Sequence, residues 1–308
     1  MAELVVVGSL NADLVVRSPR FPAPGETIQG EDLATVPGGK GANQAVAAAR
    51  LGASVAMIGC VGTDAFGASL IENLKRNKVD ARGVRREGSA ATGTAIVILD
   101  ANGQNSIVLS PGANAKVTGN DIEAVRLEGA KLLLLQFEIP LEAVLHAARL
   151  AKRKRLRVIL NPAPAHPMPD ELLSLADFIV PNETELGLLT GKRIINKAAL
   201  ESAAGLLLSR GARKVIVTLG KKGALMMSKA GTKYVPAFKV KPVDSTGAGD
   251  AFIGGMAFAL LRRKSLEDAV KYGCACGALA VTKFGAQPSL PTTEEVREFL
   301  RSAEIARV

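Results

Sequence analysis

The chain has 308 residues, of which 48% are apolar and 22% are charged, a composition that excludes disordered, collagenous and coiled-coil proteins. Its 39 basic residues exceed the 29 acidic ones by ten, and the formal charge of +10 favours a polyanionic partner, either a nucleic acid or a phosphate-rich small molecule. With no Trp, two Tyr and nine Phe, the chain has few side chains that could stack on bases, which disfavours nucleic acid.

The cysteines and the amino terminus give information on the cellular location of the protein. Cys60, Cys274 and Cys276 have the spacing of neither a disulfide framework nor a zinc site. The amino terminus lacks the basic region and long apolar run of a secretory signal, and the uncharged stretch 51–63 is too short to span a bilayer. We therefore expect a cytoplasmic protein that has no membrane partner.

Short β-branched runs alternate with helical patterns along most of the chain. Strands that are apolar on both faces, as in a covered parallel sheet, are predicted at 4–7, 54–58, 131–137, 157–160, 177–180 and 214–219. Helices are predicted at 41–51, 64–77, 140–154 and 198–210, and nearly all of 247–308 is helical. This alternation predicts an α/β fold with a doubly wound, mainly parallel sheet flanked by helices.

Two segments interrupt the alternation and predict a separate small sheet of antiparallel strands. Residues from about 11 to 37 have the pattern strand, loop, strand. The runs 94–100 and 105–110 are joined by Ala101-Asn102-Gly103-Gln104 and predict a β-hairpin with an Asn-Gly turn. We expect one α/β domain over residues 1–308, with lid strands inserted at about 11–37 and 94–112 to cover a ligand crevice.

The most informative motif is Asp244-Ser245-Thr246-Gly247-Ala248-Gly249-Asp250, which precedes an apolar helix. The amides of Gly247, Ala248 and Gly249 would point outward at the helix amino terminus, where partial positive charge suits a phosphoryl group. Asp250 fits two roles equally well. It is either a general base for an attacking hydroxyl or an acid that complements the helix dipole.

A second glycine-rich segment, Gly38-Gly39-Lys40-Gly41-Ala42-Asn43, leads into a predicted helix. It is not a Walker A loop, because Gly41 stands where Ser or Thr would follow the lysine. Taken by itself, it is best explained as a turn that packs a helix on a strand. Asn11 and Asp13 lie two apart on an extended chain and share one face, which suits vicinal hydroxyls, although an Asx turn explains them equally well.

Polar residues also follow three other predicted strands. Asn182 and Glu185 have the spacing of a capping box, yet the carboxyl end of a parallel strand is also where open α/β sheets bind ligands. In that second role Glu185 would hold hydrated Mg²⁺ and Asn182 the phosphates. Residues 218–223 offer small residues and two lysines for a nucleotide, and Glu138 places a carboxylate at another strand end.

The order and spacing of these motifs resemble the ribokinase-like family of sugar and nucleoside kinases. The resemblance runs from Asn11 to Ser289, about nine-tenths of the chain, and includes Gln136-Phe137-Glu138 and Gly285-Ala286-Gln287-Pro288-Ser289. It implies the ribokinase-like fold and ATP-dependent phosphorylation of D-ribose at its 5-hydroxyl, giving D-ribose 5-phosphate and ADP. It further implies Mg²⁺, a monovalent cation such as K⁺, and a homodimer formed through the lid.

The resemblance also implies a role for each matching residue. Asp250 would deprotonate the sugar hydroxyl beside an anion hole of Gly247, Ala248 and Gly249. The sugar site would comprise Asn11, Asp13, Gly39, Lys40, Asn43 and Glu138. Contacts to ATP would come from Asn182, Thr218, Gly220, Gly223, Gly249 and Cys274, which stands where the family often has a His near the adenine, with Glu185 near Mg²⁺. The monovalent cation would be held by Asp244, Thr246, Ala280, Lys283, Gly285 and Ser289, several of them through backbone oxygens.

Three alternatives stay open on the sequence. A related kinase would act on 2-keto-3-deoxygluconate, fructose or adenosine. A dinucleotide-dependent oxidoreductase fits the sheet pattern, but Gly8-Ser9-Leu10-Asn11 is not the Gly-x-Gly-x-x-Gly turn of that class. A nucleic-acid-binding protein is supported by net charge alone.

Overall fold

The structure, a computed structural model, describes residues 1–101, 104–125 and 127–305. The strands are β1 (Leu4–Val7), β2 (Asn11–Arg17), β3 (Ala34–Gly38), β4 (Val55–Gly62), β5 (Val79–Glu87), β6 (Gly93–Leu99), β7 (Asn105–Ser110), β8 (Leu132–Leu135), β9 (Arg157–Leu160), β10 (Phe178–Ile179), β11 (Lys214–Thr218), β12 (Ala224–Ser228) and β13 (Gly231–Val235). The helices are α1 (Lys40–Arg50), α2 (Ala65–Arg76), α3 (Gly119–Glu123), α4 (Leu141–Arg153), α5 (Asp170–Leu175), α6 (Glu183–Thr190), α7 (Lys197–Ser209), α8 (Ala248–Leu261), α9 (Leu266–Ala280), α10 (Ala286–Ser289) and α11 (Thr293–Ile305).

The main sheet has the strand order β13-β12-β11-β10-β9-β8-β1-β4-β5. The strands from β11 to β5 in this order are parallel, and β12 and β13 add an antiparallel edge. Alternate residues of β1 enter different cores: Leu4 and Val6 pack into the core that contains α1 and α8, and Val5 and Val7 into the core that contains α4 and α7. Helices on both faces confirm the doubly wound α/β fold.

The predicted strands and helices are confirmed to within a few residues, although β10 is only two residues long. The strands β5, β12 and β13 were not predicted. Two of them, β5 and β13, form the edges of the sheet and therefore lack the pattern of apolar residues on both faces. In β5, for example, Val79 and Ala81 are buried while Arg82 is exposed.

The two segments that interrupt the alternation form a separate four-stranded sheet, in the order β3-β2-β6-β7. The prediction of antiparallel strands is correct for β2 with β3 and for β6 with β7, but β2 and β6 run parallel. The predicted Asn102-Gly103 turn lies outside the described residues. Among the helices that the structure describes, none combines the length and apolar character needed to cross a membrane.

Candidate active site

Two clefts meet at the amino terminus of α8. The first, of about 270 Å³, lies between the small sheet and the loops that precede α1, α8 and α10. The second, of about 230 Å³, lies over the carboxyl ends of β9, β10 and β11. Both clefts are lined by Lys40, Ser245, Gly247 and Asp250. A side chain at this junction can therefore contact ligands in either cleft.

Asp250 lies in the first turn of α8 and is only 8% exposed. Asn43 Nδ2 donates to its Oδ2 at 2.9 Å, and Gln44 Nε2 donates to its Oδ1 at 3.0 Å. Burial raises the pKa of Asp250, while Lys40 and the two amide donors act in the opposite direction. The carboxylate is thus held between two donors at the junction of the clefts, as a base for a nearby hydroxyl would be.

The backbone before α8 presents amides to the same junction. Gly247 has a φ of 77°, a left-handed conformation that glycine adopts without strain, and no side chain caps the 14-residue helix. Within the described residues, the amides of Gly247 and Gly249 have no protein acceptor, whereas that of Ala248 donates to the Ser245 carbonyl at 3.3 Å. Two of the three amides predicted to form an anion hole are therefore available to a ligand.

The first cleft brings together the polar residues predicted for the sugar. Asn11 Oδ1 accepts from Asn114 Nδ2 at 2.7 Å, which leaves the Asn11 amino group to donate to a ligand. Asp13 Oδ1 and Asn43 Oδ1 are buried without a hydrogen-bond partner among the described residues. Unpartnered buried acceptors cost free energy, and the hydroxyl donors of a sugar would satisfy them.

Glu138 adds a second carboxylate to this cleft. Its Oε2 accepts from Ser9 Oγ at 2.6 Å and from the Lys40 backbone amide at 3.0 Å. Gly39, which precedes α1, has a φ of 87°, and an added Cβ would lie 2.8 Å from the Asn11 backbone nitrogen. Glycine is required there because the start of α1 packs directly on the start of β2.

Carboxylates surround one buried lysine at the junction. Burial and the charges of Glu138 and Asp250 raise the pKa of Asp13 to about 7 from its ordinary 3.8, and Lys40 opposes the shift. Burial alone would lower the pKa of Lys40, but the attraction of Asp250, Glu138, Glu185 and Asp13 raises it. Lys40 is therefore positively charged at neutral pH and faces both clefts.

The second cleft contains several residues predicted for ATP, namely Asn182, Glu185, Thr218 and Gly249. The capping-box interpretation is also confirmed: Asn182 Oδ1 accepts from the Glu185 amide at 2.8 Å, and Glu185 Oε2 accepts from the Asn182 amide at 2.9 Å. Burial raises the pKa of Glu185. Capping α6 and facing a nucleotide are compatible roles, because both place Glu185 at the same strand end.

Three residues predicted for ATP are not among the described residues that line this cleft. Gly223 has a φ of 101°, and an added Cβ would lie 2.0 Å from the Val235 carbonyl oxygen, so the turn itself requires glycine. Gly220 has a φ of 54° and open space around it. Cys274, on α9, is buried in the apolar core.

The loops before α8 and α10 contain the residues predicted for a monovalent cation. Asp244 joins these loops: its Oδ1 accepts from Thr246 Oγ1 at 2.7 Å and its Oδ2 from the Gly285 amide at 2.8 Å. The Lys283 side chain points away to an ion pair with Glu295. The remaining members, Ala280 and Ser289, are the last residues of α9 and α10. Ala280 O accepts from the Lys283 amide at 3.1 Å, and Ser289 Oγ donates to Ala286 O at 2.8 Å.

The donor sets fit the predicted ions. The described residues contain no cluster of three or more His, Cys, Asp or Glu that could hold a metal. Mg²⁺ in phosphoryl-transfer sites needs only one or two carboxylates, since phosphates and waters complete its shell, and Glu185 provides one. The loops around Asp244 offer a carboxylate and backbone oxygens, the type of donor that K⁺ prefers.

Four further polar residues belong to the site without having been predicted, namely Gln44, Gln136, Asn161 and Asn114. Asn161 directly follows the predicted strand 157–160, so the strand-end argument applied to Glu138 also covered it, whereas Gln136 follows β8 only because that strand ends two residues earlier than predicted. Gln44 directly follows the glycine-rich segment and is fully buried. No sequence pattern indicated Asn114. Its side chain accepts from the Leu10 amide at 2.9 Å and donates to the Leu10 carbonyl at 3.1 Å.

Comparisons with known proteins agree with this geometry. The family described as "pfkB family carbohydrate kinase" matches residues 1–293. Ribokinase of Haemophilus influenzae is 42% identical over 97% of this chain and 99% of its own, and deoxyribokinase of Salmonella typhi is 39% identical over 97% and 98%. The structure of Arabidopsis thaliana ribokinase complexed with ribose and ATP superposes with a TM-score of 0.90 at 36% identity, over 97% of this chain and 99% of that one. The chain therefore belongs to the pfkB family of carbohydrate kinases.

Proposed function

We propose that the protein transfers the terminal phosphoryl group of ATP to the 5-hydroxyl of D-ribose, giving D-ribose 5-phosphate and ADP. One observation carries this proposal: the buried Asp250 carboxylate lies where a polar cleft under the small sheet meets a cleft over the strand ends. The ribokinases among the relatives support ribose as the acceptor and ATP as the donor.

Asp250 accepts the proton of the 5-hydroxyl as the hydroxyl oxygen attacks the terminal phosphorus. The phosphorus–oxygen bond to ADP breaks in the same displacement, and ADP leaves as an anion. The free amides of Gly247 and Gly249, together with the Lys40 ammonium, stabilise charge on the transferring group. The Ala248 amide joins this anion hole if it exchanges its bond to the Ser245 carbonyl for one to phosphate.

In this proposal the sugar binds in the first cleft. The hydroxyls at its ring donate to Asp13 and to Asn43 Oδ1, whose buried oxygens are otherwise unpartnered. Asn11 donates to the sugar through its free amino group, and Glu138 accepts a further hydroxyl. Gly39 and Lys40 complete this site at the start of α1, where glycine lets the sugar approach the backbone closely.

The nucleotide binds in the second cleft, against Asn182, Thr218 and Gly249, and Glu185 holds Mg²⁺. That ion supplies neutralising charge on the polyphosphate when bound. Gly220 and Gly223 shape the turn that follows β11, and the family resemblance implies that Cys274 lies near the adenine. The loops that contain Asp244, Thr246, Ala280, Lys283, Gly285 and Ser289 would hold a monovalent cation such as K⁺, whose charge would stabilise the loop that presents the anion-hole amides.

An ADP-release assay over a panel of acceptors tests the proposed function. With ATP and Mg²⁺, we expect D-ribose to give the highest kcat/KM among D-ribose, 2-deoxy-D-ribose, fructose, 2-keto-3-deoxygluconate and adenosine, and K⁺ to raise the rate. The panel includes 2-deoxy-D-ribose because a relative is a deoxyribokinase. A higher kcat/KM for another acceptor would replace ribose as the substrate, and no ADP release with any of them would contradict the kinase proposal.

We also propose that the small sheet is a lid whose outer face forms a homodimer. Ile107 and Leu109 of β7 line the first cleft, so the intervening Val108 points to the opposite face, where it is 65% exposed beside Ile96 at 49%. An exposed apolar face of this kind favours a protein partner, and a second copy would cover it. A cytoplasmic location fits the use of ATP and the three free cysteines.

The change Val108→Glu is expected to convert the dimer into a monomer. A carboxylate on the outer face would have to be buried without a partner in the dimer. Sedimentation velocity would measure the mass in solution. Ile195→Glu is the matched control, because Ile195 is 75% exposed but lies outside the small sheet. A monomeric wild-type protein, or a dimeric Val108→Glu variant, would contradict the proposed interface.

A further inference from the structure

A chain of buried side-chain amides lies behind the base. Gln136 Nε2 donates to Gln44 Oε1 at 2.7 Å. Gln44 Nε2 then donates to Asp250 Oδ1 at 3.0 Å and to Asn161 Oδ1 at 3.1 Å. Asn161 Nδ2 donates to the Val180 carbonyl at 2.9 Å. Gln44 is the centre of this chain, and all its side-chain polar atoms are engaged.

The direction of every bond in this chain follows from its backbone end. The Val180 carbonyl can only accept, so Asn161 must turn its amino group to it and its oxygen to Gln44. Gln44 must therefore present its amino group to Asn161 and Asp250, and its oxygen to Gln136. The chain admits one orientation, in which Asp250 always receives a donor.

The chain also ties the base to the rigid part of the fold. Gln136, Asn161 and Val180 each directly follow one of the adjacent strands β8, β9 and β10, while Gln44 belongs to α1 and Asp250 to α8. Gln44 is fully buried and is not among the described residues that line either cleft. Its effect on a ligand can therefore act only through its neighbours.

We propose that Gln44 is a positioning residue, which fixes the rotation of the Asp250 carboxylate by donating to its Oδ1. The inference rests on the proposed function, in which Asp250 is the base. With Oδ1 held by Gln44 and Oδ2 by Asn43, the plane of the carboxylate is defined by two donors from one helix, α1. A base held in this way meets the hydroxyl proton in one geometry.

The groups around Asp250 determine how its pKa changes when the Gln44 donor is removed. Lys40 and the Asn43 and Gln44 donors favour the ionised form, whereas burial and Glu138 favour the neutral form. Asp13 and Glu185 also interact with Asp250 through their charge. Because a donor to a carboxylate lowers its pKa, removing the Gln44 donor raises the pKa of Asp250.

The change Gln44→Met keeps the buried volume and removes the donor. We expect kcat to fall about 10- to 100-fold, because the carboxylate is no longer held in one orientation. We expect the acid limb of the kcat–pH profile to move up by about one pH unit. The KM values for ribose and ATP should stay within about twofold of wild type, since Gln44 lines neither cleft.

Three further variants separate positioning from a structural role. Val296→Ala is the control for lost stability, since Val296 is buried in the core on α11, a helix that contains none of these residues; its pH profile should match wild type. Gln136→Met leaves the donor to Asp250 in place and should shift the acid limb less than Gln44→Met. Gln44→Glu preserves the shape, sets a second carboxylate against Asp250, and should shift the limb further upward.

The results distinguish the inference from the proposed function. An unshifted acid limb in both Gln44 variants, or a raised KM with unchanged kcat, would overturn the positioning role while ribose phosphorylation by the wild type stands. If the Asp250→Asn variant keeps full turnover, the assignment of the base fails first, and the role of Gln44 fails with it. If Gln44→Met does not fold, Gln44→Glu and Gln136→Met carry the same test.

Discussion

Replacing Asp250 by Asn is expected to reduce turnover by about 10²–10⁴-fold while ribose and ATP still bind. An amide cannot accept the hydroxyl proton, but it nearly preserves the shape of the buried side chain. Asn43 and Gln44 both present amino groups to this side chain, so an amide can satisfy only one of them through its single oxygen. Steady-state ADP release would measure turnover, and calorimetric titration would measure binding of each ligand.

The matched control for this variant is Asp170→Asn at the start of α5, an exposed carboxylate that pairs with Arg210. It removes one negative charge at a distance from both clefts and should keep wild-type turnover. Near-normal turnover in Asp250→Asn would exclude Asp250 as the base. Loss of both activity and ligand binding would instead indicate that the junction of the clefts had collapsed.

Replacing Asp13 by Asn is expected to weaken ribose binding and to stabilise the ligand-free protein. A hydroxyl bond to a charged acceptor is lost, so the KM for ribose should rise about 10- to 100-fold with little change for ATP. The folded-state pKa of Asp13, about 7, exceeds its ordinary value of 3.8. Between these values the folded protein binds more protons than the unfolded chain, so this group's contribution to stability falls as pH rises through that window.

The stabilising effect should therefore depend on pH in a defined direction. At pH 8 the variant should exceed wild type by about 1–3 kcal/mol in free energy of unfolding, and the difference should vanish near pH 4. Thermal unfolding across this range would measure it. Asp32→Asn is the control, since Asp32 is an exposed carboxylate in the loop between β2 and β3. If the Asp13→Asn variant were less stable than wild type at pH 8, the conclusion that ionised Asp13 destabilises the folded protein would be wrong.

The buried parallel strands and their helices could be predicted because their sequence patterns are local. β1 and β8 are short apolar runs, and burial on both faces leaves no other pattern. Edge strands such as β5 carry charges on their solvent side, so the same criterion does not detect them. The parallel pairing of β2 with β6 joins segments about 80 residues apart, and no local pattern specifies it.

The site was predicted to a similar depth. Motif order predicted one site for Asp250, Lys40 and Asn43, and the three residues line one cleft, while their roles stay predictions. The partners of these residues were harder to find, because Gln44 and Asn161 meet only after α1 packs beside the strand ends. Cys274 is buried in the core, a position that its place in the motif order did not indicate, and its contact with the adenine stays a prediction.

Asn114 has a mechanical consequence for the small sheet. It bonds both backbone groups of Leu10 and the side chain of Asn11, and Leu10 is itself anchored in the core of the main sheet. A movement of the small sheet relative to the main sheet would therefore leave Asn11 in place and displace Asp13, which lies further along β2. A sugar bound to both Asn11 and Asp13 would then connect the main sheet to the small sheet and hold the small sheet closed over the cleft.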